Sequence, residues 1–250
     1  MAPLGLADWE LVGVAPLVGS FVGVAIDRLP DRRPLGFSRS RCGHCAAVLG
    51  ARDLVPLASW LAQRGRCRHC GARLGWFYPA VELAALGVAL AALGIDRGRD
   101  AWIDALFGWW LLTLAWIDWR RLVLPDVLTL PLVALGLATA AAFAPDELGD
   151  RLAGAAAGYL GLWGIAWLYR RLRGREGLGM GDAKLFAAAG AWVGASGLPS
   201  VLAGAALAAL AAAGAMMLAG RRLDRYAALP FGPFLAAGAW LVWLFGPLAY

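Results

Sequence analysis

Eight apolar stretches, set apart by short polar gaps, leave this chain few ways to fold. They lie near residues 10–27, 77–95, 101–118, 127–144, 151–169, 182–196, 199–219 and 229–248. A helix needs roughly 17–25 residues to cross a hydrocarbon core about 30 Å thick, and every stretch but the sixth has that length. The sixth is short enough to be partly re-entrant. Of the 250 residues, 61% are hydrophobic and 16% charged, against roughly 45–50% and about 25% in ordinary soluble domains. The apolar excess has to face lipid, which excludes a water-soluble globule and a disordered chain. The 13 Trp and 33 Gly suit a membrane bundle, where Trp sits at the interface and Gly lets helices approach. Collagen-like and coiled-coil readings lack a period. The expected fold is an all-α integral membrane protein of about eight transmembrane helices.

The net charge of +6 does not point to nucleic acid, because the basic residues occupy the gaps between spans. Eight spans sort them sharply. One side takes ten Arg from Arg28 to Arg73, then Arg120 and Arg121, then Arg170, Arg171, Arg173, Arg175 and Lys184, then Arg221, Arg222 and Arg225: twenty of the 23 Lys and Arg. The other side has Arg97, Arg99 and Arg151. Positive residues favour the cytoplasm in short loops, so the Arg-rich connections are expected inside and both termini outside. Met1 to Glu10 has no positive residue and lacks the front of a cleavable signal peptide, so it is expected to be retained. The Arg-rich loops suit contact with anionic lipid.

The connection from Arg28 to Trp76 is polar, rich in Arg, and holds all 4 Cys. The expected organisation is therefore a first helix over 1–27, a small cytoplasmic insert over 28–76, and a seven-helix core over 77–250. Beyond Ala-rich helix such as Ala203 to Ala215, no internal repeat stands out. Cys42-Gly43-His44-Cys45 and Cys67-Arg68-His69-Cys70 are two CxxC knuckles 21 residues apart. That pattern holds tetrahedral zinc, with Cys42, Cys45, Cys67 and Cys70 as ligands and His44 and His69 as bystanders. So small an insert has little apolar surface for a core, and a structural metal would supply the folding free energy. Free thiols or two disulfides are the alternatives; a reducing cytoplasm disfavours the disulfides.

Ionisable groups at a membrane span point to function. Asp118 ends the third span in Ile117-Asp118-Trp119-Arg120-Arg121, and Asp182 opens the sixth in Gly179-Met180-Gly181-Asp182-Ala183-Lys184. Both fall at the cytoplasmic edge. Two carboxylates facing each other across a water cannot easily both ionise, so one holds a proton while the other stays charged, which is aspartyl-protease chemistry. Gly179 and Gly181 would let a substrate strand approach the backbone. Taken singly, Asp118 is a juxtamembrane charge beside Arg120 and Arg121, and Asp182 a helix-start carboxylate. Asp126 reads as the cap of the fourth span. Glu82, one turn inside the second span, either lines a cavity or pairs with a loop Arg. Lys184, the only Lys, would serve a substrate or lipid phosphate or snorkel to the interface. Asp96, Asp100, Asp104, Asp146, Glu147 and Asp150 fall in outer turns and span ends, where solvation explains them.

These residues resemble a known family, the bacterial prepilin peptidases or type IV leader peptidases, over nearly the whole chain. The resemblance is carried by Gly19-Ser20-Phe21 through Arg28-Leu29-Pro30, the paired knuckles, Ser59-Trp60 and Tyr78-Pro79-Ala80-Val81-Glu82. It continues in Ile117-Asp118 through Pro131, in Arg175 to Leu185 with its GxGD signature, and in Pro230-Phe231-Gly232-Pro233-Phe234. It implies that Asp118 and Asp182 are the catalytic pair. It also implies that the substrates are prepilins or pseudopilins of type IV pilus and type II secretion systems, whose basic leader is removed after a Gly at the cytoplasmic face of the inner membrane. Many members of the family then methylate the new N-terminus with S-adenosylmethionine, using the cytoplasmic region. Two departures bear on that second activity: Gly43 stands where the family often has Pro, and Arg52-Asp53-Leu54-Val55-Pro56 lacks the usual Glu-Asn pair.

Rival readings belong to other classes. Paired intramembrane carboxylates also relay protons in transporters, whose sites lie near mid-bilayer rather than at one edge. A noncatalytic pilus-assembly scaffold would tolerate Asp118→Asn and Asp182→Asn.

Overall fold

A computed structural model describes residues 5–36, 39–174, 179–220 and 229–248. Met1 to Leu4, Arg175 and the flank it opens through Leu178, and Arg221, Arg222 and Arg225 lie outside the described residues. In chain order the elements are α1 (Leu6–Arg28), α2 (Ala58–Ala62), α3 (Phe77–Ile95), α4 (Arg99–Arg121), α5 (Asp126–Phe143), α6 (Leu148–Arg173), α7 (Met180–Leu218) and α8 (Gly232–Phe245). Among the described residues extended pairing is confined to two isolated bridges, Arg41 with Val48 and Arg66 with Arg73. The fold is all-α, as expected. Five helices, α1, α3, α5, α6 and α7, are long and apolar enough to cross a membrane. The charges and tryptophans of α4 lower its hydropathy, and α8 has 14 residues.

The chain forms two compact units, Met1–Thr113 and Leu114–Tyr250. In the first, small residues on α1 admit α3. A Cβ at Gly19 would stand 2.6 Å from Glu82 Cα, and one at Gly23 would stand 2.8 Å from the Tyr78 ring. The Trp109 indole donates to Ala85 O at 2.8 Å. At the other end of the pair, Asp8 accepts from the backbone N–H groups of Gly5 and Gly98, both at 2.8 Å.

The insert contains a repeat that was not expected. Arg41-Cys42-Gly43-His44-Cys45-Ala46-Ala47 and Arg66-Cys67-Arg68-His69-Cys70-Gly71-Ala72 make the same turn twice. In each, the first Cys donates its N–H to the Ala five residues on, Ala47 at 2.9 Å and Ala72 at 2.8 Å. In each, the residue before that Ala has positive φ, Ala46 at 56° and Gly71 at 70°. The shared Arg-Cys-Xaa-His-Cys-Xaa-Ala pattern was legible in the sequence.

The second unit is built on close backbone approach. Along α6 and the start of α7, Gly158 meets Phe186 and Gly154 meets Gly190; a Cβ at either of these α6 glycines would stand 2.6 Å from the facing carbonyl oxygen. These paired numbers run in opposite senses, so the helices are antiparallel, and lipid cannot supply the attraction that direct backbone contact does. The 39-residue α7 is not one rod, because Gly194 leaves helical geometry at φ 76° and ψ 174°. The N–H freed at Ala195 is taken by Asp150 Oδ2 at 3.2 Å. Beyond the break, Gly197 faces Val242, and Gly238 of α8 faces Val201, so the second limb runs antiparallel to α8. The two limbs correspond to the expected sixth and seventh spans.

Of the acids set aside as solvated, Asp104 is not, while the exposed Asp150 and Glu147 also have partners in the fold. Asp150 caps the broken helix, Glu147 pairs with the buried Arg151 at 2.7 Å, and Asp104 is buried. Arg151 also lies over the Trp243 ring, 5.2 Å from its centroid, so it is a packed residue rather than a loop charge.

Candidate functional site

Asp118 stands near the C-terminal end of α4, where the helix dipole disfavours a negative charge. Another helix start compensates. Gly232, the first residue of α8, donates its backbone N–H to Asp118 Oδ2 at 2.9 Å, and such first-turn N–H groups have no partner within their own helix. A Cβ at Gly232 would stand 2.7 Å from that carboxylate oxygen, so the position needs glycine for close approach. Asp182 lies in the first turn of α7, where its charge meets the favourable end of the dipole. Both carboxyls are nearly withdrawn from solvent, at 6% and 9% exposure, and Asp182 lies within electrostatic reach of Asp118. Residues 64 positions apart in sequence are thus brought to one end of the second unit, with Gly232 from a third helix.

The neighbouring candidates have local partners. A Cβ at Gly179 would stand 3.4 Å from Asp182 Oδ2, and one at Gly181 would stand 2.9 Å from Leu124 Cβ. The space at Gly181 is therefore filled by the loop between α4 and α5. Lys184 Nζ pairs with Asp126 Oδ1 at 2.6 Å. Asp126 is not the cap of its helix, because it is the first residue of α5 with Pro125 before it and no side-chain cap bond. Its carboxylate joins the start of α5 to the start of α7.

In the first unit, Cys42, Cys45, Cys67 and Cys70 place their sulfurs all within 4.8 Å of one another. Cys42 Sγ and Cys70 Sγ are 3.9 Å apart, too far for a disulfide. A tetrahedral zinc with bonds of about 2.3 Å would separate its sulfurs by about 3.8 Å, so the cluster fits that ion. Without metal, Cys42 and Cys70 are shifted in opposite directions. Backbone N–H groups of Cys45 and His44 draw Cys42 down to about 6. At Cys70 the Ala72 backbone N–H favours the thiolate, but burial and the three neighbouring thiols together push it up to about 11. Glu82, 5% exposed, lines a cavity between the insert and the ends of α1 and α3. Its Oε2 accepts from Leu57 N–H at 2.8 Å, a backbone partner rather than a loop Arg.

Sequence reasoning missed Gly232 as a partner of Asp118. The Pro-Phe-Gly-Pro-Phe run that holds it was noticed only as a motif, although glycine at a helix start before Pro was the signal.

Family models match most of the chain. That of the Bacterial Peptidase A24 N-terminal domain covers residues 13–95, and that of the Type IV leader peptidase family covers residues 105–214. The chain is 45% identical over 228 residues to a Prepilin leader peptidase/N-methyltransferase of Burkholderia pseudomallei (strain 1026b), covering 90% of this chain and 73% of that protein. It is 39% identical over 257 residues to one of Aeromonas hydrophila, covering 92% and 88%. It is 37% identical over 259 residues to one of Pseudomonas aeruginosa, covering 92% and 87%. No solved structure matches.

Proposed function

The chain belongs to the type IV leader peptidase family, and from that premise we propose that it removes the basic leader of type IV prepilins or pseudopilins through Asp118 and Asp182. The observation that carries this reading is the convergence of two buried carboxyls at one end of the second unit, one of them held by the Gly232 N–H. In the reaction, the ionised member takes a proton from water as the water attacks the scissile carbonyl carbon. The protonated member gives its proton to the carbonyl oxygen. The tetrahedral intermediate then collapses: the C–N bond breaks, the nitrogen leaves with the proton taken from water, and one hydroxyl returns its proton to the aspartate that gave it, leaving the carboxylic acid. No covalent enzyme intermediate forms. The catalytic end faces the cytoplasm at the inner membrane, a placement supported by the basic residues beside both aspartates. A lipid-held pilin helix with a positive leader presents its cleavage point at that edge. Gly179 and Lys184, beside Asp182, border the path of the substrate, while Gly181 packs against Leu124.

The same protein adds a methyl group to the new N-terminus. Residues 28–76 are the methyl-transfer region, with the four cysteines holding a structural zinc that fixes the two knuckles. S-adenosylmethionine is the donor; when bound, it supplies an activated methyl on a positive sulfur for the amine that cleavage exposes. Relatives that carry both activities in their name support this reading.

The test is to incubate purified protein with a prepilin-like substrate, with and without S-adenosylmethionine, and to weigh the products. Asp118→Asn and Asp182→Asn keep the shape of each side chain and remove its acid–base function, so each is expected to slow cleavage by about 100-fold or more. Wild-type rates in either variant would reject the pair. Cleaved product without an added methyl would confine the protein to proteolysis.

A further inference from the structure

The cavity between the insert and the helix ends has a volume of about 330 Å³, at the lower end of the roughly 300–1,000 Å³ typical of small-molecule sites. It lies wholly within the first unit. Trp60 lines it, and the Trp60 indole N–H is buried without a hydrogen-bond partner among the described residues. Orphaned buried N–H groups are rare, and a ligand acceptor is the ordinary remedy.

The charges around the cavity are divided. The buried Glu82 sits where the cavity meets α3, and the exposed Arg41 and Arg73 belong to the knuckle side. A ligand that suits both has cations at one place and an anion at another. Asp53 also lines the cavity, but its carboxylate is engaged by Gly50 N–H at 3.1 Å, Gln63 Nε2 at 3.3 Å and Arg68 at 3.2 Å. It holds the loop together, whereas Glu82 reaches Leu57 N–H from the helix and fixes the segment that carries Trp60.

We infer that this cavity is the seat of the methyl donor, an adenosyl sulfonium, with Trp60 against the purine, Glu82 facing the sulfonium and ammonium cations, and Arg41 and Arg73 taking the carboxylate. The inference rests on the methyltransferase reading above. It adds that the donor site is not the insert alone, because Ser20, Tyr78 and Glu82 from the ends of α1 and α3 complete it. A purine stacks on an indole and offers ring nitrogens to its N–H. A buried acid favours cations and exposed arginines favour a carboxylate.

Ultraviolet cross-linking of radiolabelled S-adenosylmethionine to the full chain in detergent, followed by peptide mapping, tests this directly. Label is expected within residues 20–24, 40–63 or 73–82. Label on α5 to α8 would overturn the assignment, as would cross-linking at Trp60 by the acceptor peptide in place of the donor. Equilibrium dialysis with S-adenosylhomocysteine is the second measurement. Glu82→Gln and Trp60→Ala should each raise Kd tenfold or more, with bound zinc and melting temperature checking that the variant is folded. If Trp60→Ala fails that check, Trp60→Phe keeps the ring, removes the N–H, and should raise Kd severalfold. Unchanged Kd in folded variants sinks the cavity while leaving the methyltransferase intact. A wild type that binds no donor and leaves its cleaved product unmethylated sinks both.

Discussion

Between residues 40 and 74 the backbone is turned around four sulfur atoms, whereas from α6 to α8 it is pressed against itself through glycine. Neither region is held by a conventional hydrophobic core. The insert is too small and polar for one, with Cys42 and Cys67 among its few buried residues. The helices of the second unit face lipid, so burying apolar surface between them gains little over leaving it in the bilayer. On the zinc reading proposed above, the insert would make up the deficit with ligand bonds, which are few, strong and removable. The helices make it up with many weak contacts, which are permanent and intolerant of added volume. The two regions should therefore fail under different insults.

The largest separation is expected from taking the metal away. Structural zinc in small knuckle peptides contributes about 10–16 kcal/mol of apparent folding free energy near neutral pH. Chelation, or Cys42→Ser, should abolish amide protection across residues 40–74 in hydrogen exchange while α6 to α8 keep theirs. Acid should act in the same direction. Protons compete with the metal for the four thiolates, so metal retention should fall as pH is lowered, read as zinc released to a colorimetric chelator. Equal loss of protection in both regions would show that the glycine core leans on the metal and would erase the contrast.

A second insult reverses the order. A Cβ at Gly190 would stand 2.9 Å from Ala155 N and closer still to the Gly154 carbonyl, and neither backbone can move without parting the helices. Gly190→Ala should destabilise by about 1–3 kcal/mol, as overpacking does. Gly161, one turn along α6 from Gly158, has nothing within 4 Å of its Cβ position. There the same substitution should stabilise by about 0.5–1 kcal/mol, the ordinary helix preference for Ala over Gly. Thermal unfolding of the two variants should give shifts of opposite sign, with zinc content untouched in both. Shifts of the same sign would break the claim that backbone contact holds α6 to α7.

What was legible in the sequence follows the same division. The spans could be read because the bilayer imposes a length on every helix, and even the break in α7 showed as a short sixth stretch. The four-cysteine cluster could be read because each knuckle carries its two cysteines three residues apart. Contacts made across the fold left weaker traces. Gly232 reaches Asp118 over 114 residues, and the glycine before Pro at a helix start marks the position without naming its partner. Asp150 looked like a solvated turn residue because the N–H it caps belongs to a break 45 residues later. Glu82 reads in the sequence as either a cavity residue or a partner of a loop Arg, and its bond to Leu57 required knowing where the insert folds back. The knuckle repeat is the exception: it was local and legible, and it went unread.

The smallest effect is expected where the second unit does use a charge. Lys184 and Asp126 are joined at 2.6 Å with side-chain exposures of 26% and 57%, and ion pairs so open to solvent contribute about 0.2–1 kcal/mol. Lys184→Met keeps the apolar stem and removes the charge, so the melting temperature should fall only slightly. The difference from wild type should shrink further in high salt, because exposed charges are screened. The pair nevertheless ties the start of α5 to the start of α7, two residues from Asp182, which makes cleavage kinetics the sharper reading. A purely structural tie predicts that Asp126→Asn and Lys184→Met have equal, few-fold effects. A Lys184 that also contacts the substrate predicts a larger rise in KM for Lys184→Met than for Asp126→Asn, at equal stability. The second outcome would mean that the glycine-packed unit keeps its one lysine for binding and holds its shape without it.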